Sequence, residues 1–159
     1  MKSSVKKVFE NNKSVLGQYD VKVGEKQQVA FPKKFRAILG DTLVITKGFD
    51  GHLVAVAEKN WEDLVKGTEG ILFTNRETRN VQRFFLGNAT IVELDSQGRF
   101  VLPEYLRTYA GILKDVVFVG LRNFVEIWDK NKWDEQQVKL SANISNMTES
   151  ISGSKSKND

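Results

Sequence analysis

Apolar residues fall in short, β-branched runs. Thr42-Leu43-Val44-Ile45-Thr46, Leu53-Val54-Ala55-Val56, Val116-Val117-Phe118-Val119 and Val125-Glu126-Ile127-Trp128 predict buried strands. Around Tyr19-Val21-Val23 and Ile91–Leu94 apolar and polar positions alternate, which predicts strands with one wet face. Two shorter strands, Gln28–Phe31 and Arg99–Leu102, each run into a proline. Pro32 and Pro103 are each followed eight residues later by a glycine, Gly40 and Gly111. Proline at the start and glycine past the last turn bracket a short helix. Asp50-Gly51 and Arg122-Asn123 predict the tight turns of two hairpins.

This order of elements occurs twice. Arg36 and Arg107 sit at the same step within the two Pro–Gly segments, Gly48 matches Gly120, and Trp61 matches Trp133. Leu16-Gly17 matches Leu86-Gly87 upstream, so the chain reads as an imperfect duplication. Between the copies, Thr74 and Glu77 fit a capping box for a helix ending at Gly87. Val81, Phe84 and Phe85 give that helix an apolar side; Arg76, Arg79 and Arg83 line another.

The boundaries expected are a polar N-terminal extension over 1–14, a first repeat over 15–66, a linker-helix region over 67–86 and a second repeat over 87–137. The Ser/Asn-rich stretch 143–159 reads as a disordered polar tail, removable without harm to folding or assembly.

Composition narrows the chemistry. The 159 residues contain no cysteine and one histidine, which excludes disulfide frameworks, thiol nucleophiles and histidine-rich metal sites. Carboxylates are scattered, no serine has a convincing base, and no Gly-rich phosphate loop is present, so an enzyme is disfavoured and no cofactor is expected. No apolar run is long enough to span a membrane, and the first residues lack the apolar stretch of a signal peptide. A cytoplasmic protein is the expectation. The net charge of +4 permits an anionic partner without demanding one.

The most informative motif is Asp95-Ser96-Gln97-Gly98-Arg99, between the first two strands of the second copy. An aspartate can accept turn amides, a glycine supplies positive φ, and the arginine leaves the turn at the head of a strand. Its planar fork can pair with a carboxylate, grip a phosphate or read guanine O6 and N7. By itself the motif also fits a plain hairpin whose Asp95 and Arg99 pair with each other.

With the duplication around it, LGNATIVELDSQGRFVLPEYLRTYAGI followed by VFVGLRNFVEIWDKNKW resembles the second half of an MraZ protein. RNVQRFFLG resembles the helix joining that family's halves. The resemblance covers roughly 15–137. It implies an α+β fold: a duplicated AbrB/MraZ-like swapped hairpin, or double-split β-barrel, with short helices. It also implies a nucleoid-associated transcriptional regulator that assembles into rings. The regulator would bind short direct repeats of double-stranded DNA upstream of the division and cell-wall gene cluster.

The first copy departs from the pattern. Gly24-Glu25-Lys26-Gln27-Gln28 stands where D-x-x-G-R is expected, with Gln28 at the arginine position. Glutamine can still pair bidentately with adenine. Residues 1–80 hold 14 Lys and Arg against 10 Asp and Glu, while 81–159 hold 10 of each. Lys22, Lys26, Lys33, Lys34 and Arg36 cluster with only Glu25 opposing them, forming either a phosphate-facing edge or a solvated face. The expected DNA-binding set is therefore Lys22, Lys26, Gln28, Lys33, Lys34, Arg36, Asp95, Gly98 and Arg99. The competing expectation is an oligomeric scaffold or non-specific nucleoid protein that has lost sequence reading through its first copy. His52 reads as a surface turn residue, and Trp61 and Trp133 as packing or interface residues.

Overall fold

The structure, a computed structural model, describes residues 14–66 and 75–155. The expected N-terminal extension lies almost wholly outside them, as does Thr74. Eight strands and five α-helices follow one another among the described residues. They are β1 (Val15–Lys22), β2 (Gln28–Ala30), α1 (Lys33–Leu39), β3 (Thr42–Lys47), β4 (Leu53–Ala57) and α2 (Glu58–Lys66). Then come α3 (Arg76–Phe85), β5 (Thr90–Glu93), β6 (Arg99–Val101), α4 (Glu104–Ala110), β7 (Asp115–Arg122), β8 (Phe124–Asp129) and α5 (Lys130–Lys155). A one-turn 3-10 helix, Glu25–Gln27, precedes β2.

The protein is mixed α+β with antiparallel sheets. Six strands pair in the order β1-β7-β8-β4-β3-β5, and β2 and β6 form a separate two-stranded ribbon. The first strand of each half lies against the hairpin of the other. β1 pairs with β7 from Val15↔Arg122 to Lys22↔Asp115, and β5 pairs with β3 from Thr42↔Glu93 to Ile45↔Thr90. The ribbon likewise takes one strand from each half. Neither half can therefore bury its apolar faces alone.

The main core lies between the six-stranded sheet, the ribbon and the short helices. Phe35 and Leu39, one helical turn apart, are the buried face of α1; Leu106 and Ala110 are that of α4. Phe31 sits at the centre, its ring 5.2 Å from Phe118 and 6.4 Å from Phe100. Burying side chains of this size contributes about 1.5–3 kcal/mol each. The opposite face of β7 carries a second cluster, Val117 and Val119 with Trp128 and Trp133. With both faces covered, β7 has to be apolar at consecutive positions, which is the unbroken run seen in the sequence. Gly120 is needed for close approach: a Cβ there would lie 2.7 Å from the Leu16 nitrogen and 2.9 Å from the Phe35 ring.

Asn75 caps α3, its side chain accepting from the Glu77 and Thr78 amides at 2.9 and 3.4 Å. One expectation changes here. Residues 143–155, expected to be disordered, continue α5 to Lys155. Their Ser/Asn-rich composition hides an apolar side chain at every third or fourth position, a helical spacing.

Candidate nucleic-acid interface

The ribbon has an inner and an outer face. In its register Gln28 faces Val101, Val29 faces Phe100 and Ala30 faces Arg99. Side chains alternate along a strand, so Val29 and Phe100 enter the core while Gln28, Ala30, Arg99 and Val101 look outward. Gln28 and Arg99 are thus diagonal neighbours on one exposed surface. Each is the first residue after its turn.

The Asp95–Arg99 turn is tightly organised. One Asp95 carboxylate oxygen accepts the amides of Gln97 and Arg99, both at 2.9 Å. The other accepts Arg99 Nε at 3.0 Å. The Arg99 amide, with help from the Gln97 amide and the Arg99 guanidinium, holds the Asp95 carboxyl below the usual carboxylate range against partial desolvation. Gly98 has φ 76°, and its carbonyl accepts the Phe31 amide at 2.8 Å. Among the described residues only Nε of Arg99 is engaged, which leaves both terminal nitrogens of a half-exposed guanidinium without a partner on an anchored stem. That is the geometry of a preorganised donor pair for a phosphate or a base edge.

Arg36 completes this turn from the other half of the chain. Its Nη2 and Nη1 donate to the Asp95 and Ser96 carbonyls at 3.1 and 3.2 Å, and its Nε to Asp41 at 2.6 Å. The Asp41 interaction pushes its guanidinium still further above the ordinary value. All three nitrogens of Arg36 are thus engaged inside the protein. Its place is behind the turn rather than in the row of free cations that the sequence suggests.

The Gly24–Gln28 turn closes with the same backbone bond, Gly24 N–H to Gln28 O at 2.8 Å, matching Asp95 N–H to Arg99 O at 2.9 Å. The Gln28 amide also donates to the Glu25 carbonyl, but the side-chain supports of the second turn are missing. Lys26 and Gln27 take positive φ, 54° and 61°, a conformation costly for residues with a Cβ. No side chain from Glu25 to Gln28 makes a hydrogen bond or ion pair among the described residues. Among the described residues Arg107, at the step matching Arg36, makes no side-chain bond, and the position matching Asp41 is the buried Ile112. Lys22 ends β1 beside this turn; Lys33 and Lys34 open α1 just after β2, and all three are exposed. The structure thus brings Lys26, Gln28, Asp95, Gly98 and Arg99 to the ribbon and its two turns, with Gly98 itself buried.

His52 is a correction. It is 3% exposed, not a surface turn residue. Its Nε2 lies 2.7 Å from Glu126 of β8, and its ring stacks on Trp128 at 4.5 Å. The ring also lies over Gly48, where a Cβ would come within 2.6 Å of Cε1. Burial pushes the Glu126 carboxyl up, but hydrogen bonds from His52 and Trp128 outweigh it and leave the group below its ordinary range. On α3, Phe84 and Phe85 stack on Phe49, and Phe85 also on Trp61. The helix is thereby fastened to the β3–β4 hairpin. Trp133 is buried and donates to Gln18 at 3.0 Å.

Among the described residues, no three His, Asp or Glu side chains gather as metal ligands, and no helix is long and apolar enough to cross a membrane. Comparison with known proteins gives the family. Residues 85–152 match the MraZ protein model, an antitoxin-like family. The transcriptional regulator MraZ of Acetivibrio thermocellus is 42% identical over 118 residues, 74% of this chain and 82% of that protein. The Natranaerobius thermophilus protein of the same name is 38% identical over 136 residues, 86% and 95% of the two chains. That of Clostridium beijerinckii is 42% identical over 120 residues, 76% and 84%. The chain belongs to the MraZ family.

Proposed function

We propose that this chain is a transcriptional regulator, not an enzyme, that binds double-stranded DNA through the outward face of the β2–β6 ribbon. The observation that carries the reading is Arg99. Its stem is fixed by Asp95, its turn is braced by Arg36, and its terminal nitrogens have no partner among the described residues. A two-stranded ribbon is narrow enough to enter a major groove, where such a fork pairs with guanine. Lys22, Lys26, Lys33 and Lys34 supply charge for phosphates near the same surface, and Gln28 offers an adenine-type pairing.

In this reading the fold is the duplicated swapped hairpin, or double-split barrel. Repeats at 15–66 and 87–137 flank a linker region at 67–86. The exchange of β1 and β5 between hairpins and the shared ribbon support it. Copies assemble into a ring in the cytoplasm, associated with the nucleoid. Many weak contacts to short direct repeats upstream of the division and cell-wall genes would then gain strength through effective concentration. The family names of the relatives support a role in transcription.

A second reading has one observation of its own. The unbraced first turn, with two residues at positive φ, suits a scaffold or non-specific nucleoid protein whose sequence reading has decayed.

The test is selection of bound fragments from random DNA by the full chain, followed by titration of Gln28→Arg and the parent on the enriched sequence. Recovery of tandem boxes, with tighter binding by Gln28→Arg, is the expected result. Enrichment of no sequence, with binding that follows salt alone, would favour the second reading.

A further inference from the structure

The last turns of α5 leave the body of the protein. Trp133 seats the start of the helix against β7 and β8, and Lys130 ties it to Asp20 at 3.7 Å. From residue 141 to 153 every position is exposed. Yet the line of inward-turned positions, Trp133 buried and Gln137 and Leu140 half-buried, does not stop where the body ends. Trp133, Gln137, Leu140, Ile144, Met147 and Ile151 follow one another at steps of four, three, four, three and four. That is the heptad spacing, with Ile144 and Ile151 at a and Leu140 and Met147 at d. Ile144, Met147 and Ile151 are 55%, 40% and 62% exposed.

We propose that this outer part of α5 is an interface between copies of the chain, a parallel two-stranded pairing of the helix with the same helix of a second copy. Several features select that occupant. A seam only two positions wide in seven fits another helix rather than a flat surface. Isoleucine at a with leucine-type residues at d favours two parallel strands. The flanking e and g positions, Ser141, Asn143, Thr148 and Ser150, are uncharged, so identical helices in register do not repel. Lys139 and Lys155 have no cation between them and Glu149 is the only charge there, which disfavours a nucleic acid or an anionic lipid surface.

The seam is short. Two heptads fall below the three or four that sustain an isolated coiled coil. An unpaired Ser/Asn-rich helix of this length is itself marginal in water. The pairing therefore requires bodies already held near one another, and removing 143–159 is expected to alter assembly rather than leave it untouched. This inference does not depend on the DNA reading.

The chain has no cysteine, which makes the test direct. Ile144→Cys and Met147→Cys in the full chain, mildly oxidised without DNA, should give covalent dimers. Ser145→Cys and Glu149→Cys, on the outer face of the same turns, should give few. Equal yields at all four positions, or none at the seam, would overturn the proposal. Independently, Ile144→Lys with Ile151→Lys should lower the mass seen by light scattering and the far-UV helical signal, while the near-UV tryptophan signal persists. An unchanged mass and helicity would also overturn it.

Discussion

The turns Gly24–Gln28 and Asp95–Arg99 close with the same backbone bond and open onto the same ribbon, but they are supported in opposite ways. In the second, an internal carboxylate gathers two amides and a guanidinium, a glycine takes the positive φ, and Arg36 reaches across from the other half to hold two carbonyls. In the first, glycine stands in place of the carboxylate, glutamine in place of the glycine, and isoleucine in place of the aspartate that would steady Arg107. The closing bond survives without the side chains that favour it, though the path inside differs: Lys26 takes positive φ where its counterpart Gln97 does not. The closure of a turn can therefore be imposed by the strands on either side, through the Gly24–Gln28 bond and the pairing of β2 with β6. A side chain aimed rigidly outward needs the further bonds that only the second turn retains.

The largest separation between the turns is expected in DNA binding. Arg99→Ala should weaken binding to the preferred sequence by about 1–3 kcal/mol for each bidentate base pairing it removes, and Gln28→Ala by clearly less. Titration of both variants at fixed salt checks this, and equal weakening would erase the functional half of the comparison. Backbone strain gives the next effect. Gly98→Ala places a Cβ at φ 76° and 3.3 Å from Arg36 Cδ, and should cost about 1–2 kcal/mol in urea unfolding. Lys26→Gly relieves the same conformation in the first turn. It should raise stability by a few tenths of a kcal/mol, since glycine's greater unfolded-state freedom offsets much of the gain.

A smaller contrast comes from the bracing arginines. Arg36→Ala should lower the melting temperature and broaden the Gly98 and Arg99 amide signals, whereas Arg107→Ala should leave the Glu25–Gln28 amides as they were. The smallest effect is acid sensitivity. The Asp95 carboxyl titrates below its unfolded value, so its contribution is fully present above about pH 4. That contribution disappears as pH falls through the folded value. Asp95→Asn should flatten the acid limb of stability against pH. Glu126→Gln should do the same by an independent route, through the His52 and Trp128 bonds.

Much of this arrangement is legible from punctuation and periodicity. Pro32, Gly40, Pro103 and Gly111 fix the short helices, and the β-branched runs fix β3, β4, β7 and β8, because those signals are local. What escapes a linear reading is proximity across the halves. Arg36 reads as one more cation in a basic cluster until its turn, some sixty positions away, is seen against it. His52 reads as a turn residue because Glu126, which takes its Nε2, is brought near only by the pairing of β4 with β8. The end of α5 reads as a tail for a different reason. Serine and asparagine dominate its composition, and the sparse apolar positions carry meaning only through their spacing.

The exchange of first strands between the halves has a consequence for heredity. A two-fold arrangement made from two identical chains repeats every substitution on both sides, so neither turn can change while the other stands still. Here both sides lie on one polypeptide, and each codon is answered at one place only. Gln28 can differ from its counterpart Arg99, and Ile112 from its counterpart Asp41, each without a change on the other side. Such a chain can vary one turn at a time without giving up the architecture that both halves share.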